Sequence, residues 1–296
     1  MSAKDFFAKG WPTRAAFSVG KFSPPYGGRF FAGLAARVLV TFKSNLYYNV
    51  YDNQRHVLGP AVSDAELRRQ VHRVFFNSAL SHYELFHNVG RSRLRVDEFT
   101  PPVRLLPETA AYIQEALDYG RGVFMLGCHT SNFDLGGIAL SQFLTVPLQV
   151  LSLADPPAGY DIFNNLRKQG GAMITPITPA TLREAMRRLQ SGGAVITGVE
   201  RPTGQSDQPV EFFGATAYLP TGYIRIPLRT NCLVITMASL YEDGEYHLVA
   251  NPPLEMVRTG NRAQDIMTNV RRVLAQVEGL IRRHPDQWMM FERVWK

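Results

Sequence analysis

The sequence is poor in the features that define several large protein classes. It has two cysteines among its 296 residues, Cys128 and Cys232, which lie far apart without the close spacing of a metal site. Two distant thiols argue against a disulfide framework and favour a reducing, cytoplasmic setting. No apolar stretch reaches the roughly 20 residues that a membrane-spanning helix needs, since the longest, residues 30–40, contains Arg37. The first residues show no signal-peptide pattern, so we expect a cytoplasmic protein that could meet a bilayer only peripherally.

Acidic residues are fewer than basic ones. The chain has 25 Asp and Glu against 32 Lys and Arg, a net charge of +7, which suits an anionic partner such as a phospholipid headgroup, a phosphorylated cofactor or nucleic acid. The arginines are scattered along predicted helices and no nucleic-acid module is recognisable, so we do not expect a nucleic-acid partner.

The distribution of apolar residues predicts an α/β protein. From residue 104 onward, short apolar strands alternate with helices, which indicates a largely parallel twisted sheet covered by helices on both faces. The pair Asp243-Gly244 predicts a hairpin and therefore one antiparallel edge strand. We predict an N-terminal arm and helices over residues 1–103 and an α/β core over 104–296, together one structural domain.

The N-terminal third has its own pattern. Residues 1–27 are interpreted as a loop or loosely attached arm, and residues 29–48 as one helix. Basic residues among aromatic ones suit either a membrane-surface helix or a helix packed on the core, and both interpretations stay open. Ser63 and Glu66 predict an N-cap for the helix that follows, to about residue 88.

The chain is organised around residues 122–134. Val123 to Leu126 predicts a buried strand, and the polar residues before Phe133 are good N-caps for a following helix. His129 and Asp134 should therefore lie where a strand passes into a helix, the edge at which open α/β sheets bind ligands. Across such a corner the Asp134 carboxylate could orient the imidazole and leave its other nitrogen free as a base. A histidine in a polar loop beside a helix-capping aspartate is the alternative that these two residues leave open.

Four blocks between about residue 129 and the C-terminus carry a family resemblance. His129-Thr-Ser-Asn132-Phe-Asp134 resembles the His-x4-Asp signature of glycerolipid and lipid A acyltransferases. Residues 162–170, residues 210–214 with 220–222, and residues 284–293 resemble blocks of the lauroyl/myristoyl lipid A acyltransferases and the phosphatidylinositol mannoside acyltransferases, in the same order. Many lipid A acyltransferases have an N-terminal membrane helix, and this sequence departs from them there.

The resemblance implies roles for particular residues. His129 would be the catalytic base and Asp134 its orienting partner. The residues that it implies in substrate binding are Asn132, Arg167, Glu200, Arg201, Phe212, Phe213, Gly214, Pro220 and Gly222. Alternatives stay open for these residues. Arg167 would bind a phosphate or simply lie on a helix surface. Glu200 would bind an acceptor sugar or tune His129. The aromatic residues would line an acyl pocket or pack in the core. Trp288 would help seat the C-terminal segment near the site, or simply dock it.

The implied reaction is ester-forming. The protein would move a fatty acyl chain from an acyl-CoA or acyl-carrier-protein thioester to a hydroxyl of an anionic lipid or glycolipid at a membrane surface, without metal or other cofactor. A thiolate leaves with little proton assistance, so a histidine and a carboxylate suffice. A covalent Cys128–His129 mechanism is disfavoured because adjacent side chains on an extended segment point apart. Thioester hydrolysis and non-catalytic lipid binding remain alternatives, and the sequence leaves the acceptor, the chain length, the donor and the oligomeric state open.

Overall fold

The computed structural model describes residues 11–24, 26–154, 160–204 and 207–295. The helices there are α1 (Trp11–Phe22), α2 (Gly27–Thr41), α3 (Asn45–Leu58), α4 (Asp64–Val89), α5 (Pro107–Asp118), α6 (Phe133–Phe143), α7 (Tyr160–Gln169), α8 (Pro179–Gln190), α9 (Arg225–Thr230) and α10 (Arg262–Arg283). The strands are β1 (Val103–Leu105), β2 (Val123–Gly127), β3 (Leu148–Ser152), β4 (Met173–Pro176), β5 (Ala194–Gly198), β6 (Asp207–Phe212), β7 (Ala215–Pro220), β8 (Leu233–Glu242) and β9 (Glu245–Ala250).

Seven of these strands form one sheet in the order β1-β9-β8-β2-β5-β3-β4. Strand β2 lies at its centre and pairs in parallel with both β8 and β5. Strand β9 runs antiparallel to β8 across the Asp243-Gly244 turn, as predicted. It is not the edge strand that we expected, because β1 pairs outside it. The predicted fold class, α/β with a mostly parallel sheet and an N-terminal helical segment, is confirmed.

Helices cover both faces of the sheet, and the side chains of β2 pack against both helical layers. Phe124 and Leu126 belong to a core cluster with residues of α8, α10 and the β6–β7 hairpin. Val123 and Met125 belong to a second cluster with residues of α4, α5, α6 and α7. Successive side chains of a strand point to opposite faces. A run of four apolar residues therefore indicates a strand buried on both sides.

The N-terminal segment differs from its prediction. Residues 11–22, interpreted as loop, form helix α1, which packs along α4; the first ten residues of the predicted arm lie outside the described residues. A Cβ added at Gly20 would lie 2.6 Å from the Phe86 Cβ of α4, so the glycine allows the two helices to approach closely. Packing against α4 rather than local propensity stabilises this helix, and the sequence pattern therefore missed it.

The helix predicted over residues 29–48 is two helices. Helix α2 ends at Thr41, Lys43 takes a positive φ of 42°, and α3 starts at Asn45. Ala32 and Ala36 of α2 are buried, whereas its opposite face is exposed. None of the helices in the described part of the chain is long and apolar enough to cross a bilayer.

The short β6–β7 hairpin was also absent from the prediction. Its strands expose most of one face and contain Pro209, so they lack the apolar run by which the other strands were recognised. The predicted start of α4 is confirmed, because the Ser63 side chain accepts a hydrogen bond from the Glu66 amide at 3.2 Å.

Candidate active site

The sheet brings His129 and Glu200 together. In the parallel pair β2–β5, Gly127 is in register with Gly198. His129 lies two residues beyond the first strand and Glu200 two residues beyond the second, so both reach the same carboxyl edge of the sheet. Asn132 then caps α6 by accepting a hydrogen bond from the Leu135 amide at 3.1 Å, which closes the strand-to-helix corner that the sequence predicted.

Glu200 is fully buried and holds His129 by two contacts. Its Oε1 accepts from the His129 backbone amide at 2.5 Å and lies 3.0 Å from Nδ1 of the ring. The indole N–H of Trp288 donates to the same oxygen at 3.4 Å. Burial alone would raise the pKa of Glu200, but the charge and hydrogen bonds of His129 leave that pKa below its usual value. The carboxylate is therefore an anion that fixes Nδ1 as the donor and leaves Nε2 as the acceptor.

A glycine makes room for the ring. A Cβ at residue 198 would lie 2.5 Å from Cε1 and 3.1 Å from Nε2 of His129. The imidazole thus lies directly over the end of β5, and the His129 side chain keeps 18% of its surface exposed. A partly exposed imidazole held by a buried carboxylate is the arrangement of a general base.

The expected contact between Asp134 and His129 is not the one that the structure shows. Asp134 lies in the first turn of α6, where its Oδ1 accepts from Arg167 of α7, at 2.6 Å from Nη2 and 2.7 Å from Nε. Nη1 of the same arginine donates to Asn164 at 2.9 Å. The Asp134 carboxylate is turned toward α7. The group that contacts Nδ1 of the imidazole is Glu200, which follows β5. Glu200 therefore takes the position that we had assigned to Asp134.

The structure gives other candidate residues structural contacts. The amide nitrogen of the Asn132 side chain donates to the Ser81 carbonyl of α4 at 2.9 Å. Both the oxygen and the nitrogen of this side chain are therefore used in structural hydrogen bonds. Arg201 donates to the Tyr160 hydroxyl at 2.9 Å and lies 3.3 Å from Glu292. Burial alone would lower the pKa of Arg201, but Tyr160 and Glu292 raise it overall, so the guanidinium stays charged.

The aromatic candidates form one cluster beside Glu200. Phe212 stacks on Trp295 with ring centroids 5.7 Å apart, and both Phe212 and Phe213 lie within 6.3 Å of Trp288. Phe213 and Gly214 make the β6–β7 turn with positive φ angles of 50° and 71°, while Pro220 ends β7 and Gly222 begins a short 3-10 turn. These contacts are packing contacts, and an acyl-binding role for the cluster stays a prediction.

Residues 285–295, which we call the C-terminal strap, hold the His129 loop from outside. The Ser131 amide donates to the Gln287 carbonyl at 2.7 Å and the Met289 amide donates to the His129 carbonyl at 2.8 Å. The sequence placed Trp288 near the site but gave no sign of its hydrogen bond to Glu200. Only the position of Trp288 in a block shared with known acyltransferases could have suggested this hydrogen bond.

Similarity to known proteins identifies the family of the chain. The sequence profile described as bacterial lipid A biosynthesis acyltransferase matches residues 15–296, and the chain belongs to this family. Among its curated relatives are phosphatidylinositol mannoside acyltransferases. The protein of that name from Mycolicibacterium smegmatis is 22% identical over 62% of this chain and 60% of its own length. One from Mycobacterium tuberculosis is 21% identical over 62% of this chain and 58% of its own length. The matched region thus spans about three fifths of these relatives.

Proposed function

We propose that the protein is an O-acyltransferase. It transfers a fatty acyl chain from an acyl-CoA or acyl-carrier-protein thioester to a hydroxyl of an anionic lipid or glycolipid. Family membership supports lipid acyl transfer in general. The observation that carries the proposal for this chain is the His129–Glu200 pair at the carboxyl edge of the sheet.

The reaction needs one base and no protein nucleophile. Nε2 of His129 takes the proton of the acceptor hydroxyl while that oxygen attacks the thioester carbonyl carbon. The tetrahedral oxyanion is stabilised by first-turn amide N–H groups of α6 other than that of Leu135, which donates to Asn132. As the carbon–sulfur bond breaks, the thiolate leaves and receives the proton from the imidazolium. Glu200 stabilises the imidazolium between these two steps.

Asp134 and Arg167 have a different role in this mechanism. Their ion pair joins the first turn of α6 to the last turn of α7 and is largely buried. A pair of this kind is costly to break, because either partner would be left as an isolated buried charge. We propose that it fixes the start of α6, and with it the amides that face the oxyanion.

A membrane surface supplies the acceptor in this proposal. The face of α2 turned away from α4 carries large exposed apolar side chains, and the neighbouring turns continue it: Phe22, Tyr26, Phe30, Leu34, Val38 and Phe42. Arg29, Arg37 and Lys43 are interspersed with them. Apolar side chains with basic neighbours suit the interface of an anionic bilayer. We therefore place the protein peripherally on the cytoplasmic face of the membrane.

The test is product analysis with a purified protein. With radiolabelled palmitoyl-CoA and extracted membrane lipid, wild type should form a labelled ester lipid and free thiol in equal amounts, and His129→Gln should lose both. Free fatty acid formed at the same rate without lipid would instead identify a thioester hydrolase. Binding to vesicles with no thiol release from any acyl donor would identify a non-catalytic lipid-binding protein.

A further inference from the structure

A cavity lined by arginines lies away from the candidate active site. Its volume is about 350 Å³, and Arg225, Leu228, Arg229, Arg258, Arg262 and Asp265 contribute to its walls. Helix α9 ends at Thr230, just before the start of β8, and Leu233 of β8 pairs with Val123 at the start of β2. The cavity is therefore at the amino edge of the sheet, while His129 follows the carboxyl end of β2. It is a separate site.

The charges of this cavity are not balanced within the protein. Among the described residues, none of the four arginines forms an ion pair within 4.0 Å. The one acidic wall residue is Asp265, whose Oδ1 accepts from the amide and hydroxyl of Thr259, both at 2.7 Å. Its carboxylate is thus already engaged with neutral donors. The walls carry four positive charges against one negative charge.

Three of the arginines are in positions that local electrostatics disfavours. Arg225 and Arg229 are four residues apart on α9, a spacing at which like charges destabilise a helix. Arg262 is the first residue of α10, where the positive end of the helix dipole repels a cation. Both unfavourable placements face the same cavity. Departures from local rules that converge on one place are typical of functional sites.

The fourth arginine, Arg258, is held in place. Arg258 donates to the Leu228 carbonyl at 2.5 Å and to the Pro227 carbonyl and the Asn231 side chain at 3.0 Å. Its guanidinium is fixed against the end of α9 without losing its charge, since all three acceptors are neutral. The site therefore has one positioned cation and three exposed ones around a space large enough for a small ligand.

We propose that this cavity binds a phosphate-bearing ligand with two or more negative charges. Guanidinium groups match phosphate oxygens in geometry and form charge-assisted hydrogen bonds with them. A polyanion would remove the repulsion between Arg225 and Arg229 and compensate the charge of Arg262 at once. The same chemistry is offered by a soluble phosphate ester and by a phospholipid headgroup. The proposal does not rest on acyl transfer at His129.

The chain offers a matched control for the test. Arg183 and Arg187 on α8 are also exposed arginines four residues apart, but they do not line this cavity. The double variants Arg225→Gln/Arg229→Gln and Arg183→Gln/Arg187→Gln lose the same charge at the same helical spacing. A difference between them reports the cavity rather than the net charge of the protein.

The experiment measures pyrophosphate binding by calorimetry and its effect on the melting temperature, at low salt and without other phosphate. Pyrophosphate should raise the melting temperature of wild type and of the α8 variant but not of the α9 variant, whose affinity should be at least about tenfold weaker. Without ligand, the α9 variant should melt no lower than wild type, because a repulsion is removed. No binding by wild type, or equal weakening in both variants, would overturn the proposal.

Two further arms identify the source of the phosphate. Displacement of pyrophosphate by coenzyme A would indicate a soluble phosphate ester. Weaker binding of the α9 variant than of the α8 variant to phosphatidylglycerol vesicles, with phosphatidylcholine vesicles as reference, would indicate a lipid headgroup.

Discussion

At the scale of single residues, two carboxylates are candidates for the partner of His129, and their contacts distinguish them. Glu200 is completely buried, and its ionised form is stabilised mainly by His129. The charge of Asp134 is compensated by Arg167. Because the two carboxylates have different partners, replacing either one should affect a different property of the protein.

Glu200→Gln should reduce acyl transfer at pH 7 by about 100-fold or more, because the imidazolium formed during the reaction loses its neighbouring anion. Steady-state kinetics at this pH measures the loss.

Asp134→Asn is the informative comparison for this variant. It should lower the melting temperature by leaving Arg167 unpaired, and it should reduce acyl transfer less than Glu200→Gln does. If Asp134→Asn reduced transfer more than Glu200→Gln, the orientation of His129 by Asp134 would be reinstated.

A second buried carboxyl makes stability depend on pH. Glu84 of α4 accepts a hydrogen bond from the Tyr246 hydroxyl of β9, and burial raises the pKa of Glu84 to about 7 against the opposing effects of Tyr246 and Arg29. The folded protein therefore prefers the protonated acid. The stabilisation that protonated Glu84 contributes to the folded protein is complete below about pH 4.5. It is lost as the pH rises toward 7.

The free energy of unfolding should consequently fall by about 3 kcal/mol between pH 4.5 and pH 8 relative to that of Glu84→Gln, which cannot ionise. Urea titrations of both proteins across this range measure the difference. The exposed Glu115→Gln serves as the control and should follow wild type. Parallel curves for wild type and Glu84→Gln would show that Glu84 does not titrate in this range.

At the scale of elements, the C-terminal strap depends on one asparagine. Asn53 of α3 donates to the carbonyls of Met290 at 3.1 Å and Glu292 at 2.8 Å, and it accepts from the Val294 amide at 3.1 Å. It is almost completely buried, so its removal leaves three backbone groups of the strap without partners.

Asn53→Ala should lower the free energy of unfolding by about 3 kcal/mol and speed hydrogen exchange of the Met289 amide, which donates to the His129 loop. Asn49→Ala, which removes a single bond to the Phe291 carbonyl, should cost about 1 kcal/mol. Equal losses in the two variants would mean that Asn53 does not hold the strap through its three bonds.

The strap also shows where prediction from sequence stops. The β2–α6 corner was predictable because its signals are local: an apolar run, a glycine, and Asn132 as N-cap. The sequence left the contact between His129 and Glu200 only as one of two alternatives, since Glu200 is 71 residues away and reaches His129 only because β5 pairs with β2. Helix α1 and the β6–β7 hairpin escaped for a related reason, as tertiary packing rather than a local pattern stabilises them.

At the scale of the whole molecule, the proposed function makes the exposed apolar face of α2 and the basic residues around it the side that meets a membrane. The same helix packs Ala32 and Ala36 against the core. The two interpretations of this segment, core packing and an interfacial face, therefore describe its opposite sides. Single exposed apolar residues are ordinary on protein surfaces, whereas a contiguous set marks an interaction site.

Phe30→Ser/Phe42→Ser tests this surface, because the two rings are 70% and 78% exposed and contribute little to the core. The double variant should keep the melting temperature of wild type and bind phosphatidylglycerol vesicles about tenfold or more weakly, since two aromatic side chains no longer enter the interface. Co-sedimentation measures the loss, with Tyr218→Ser, an exposed aromatic on β7, as the control. Transfer to lipid in vesicles should fall with binding, while thiol release with a detergent-dispersed acceptor should persist. If the double variant bound vesicles as wild type does, α2 would not be the face that meets the bilayer.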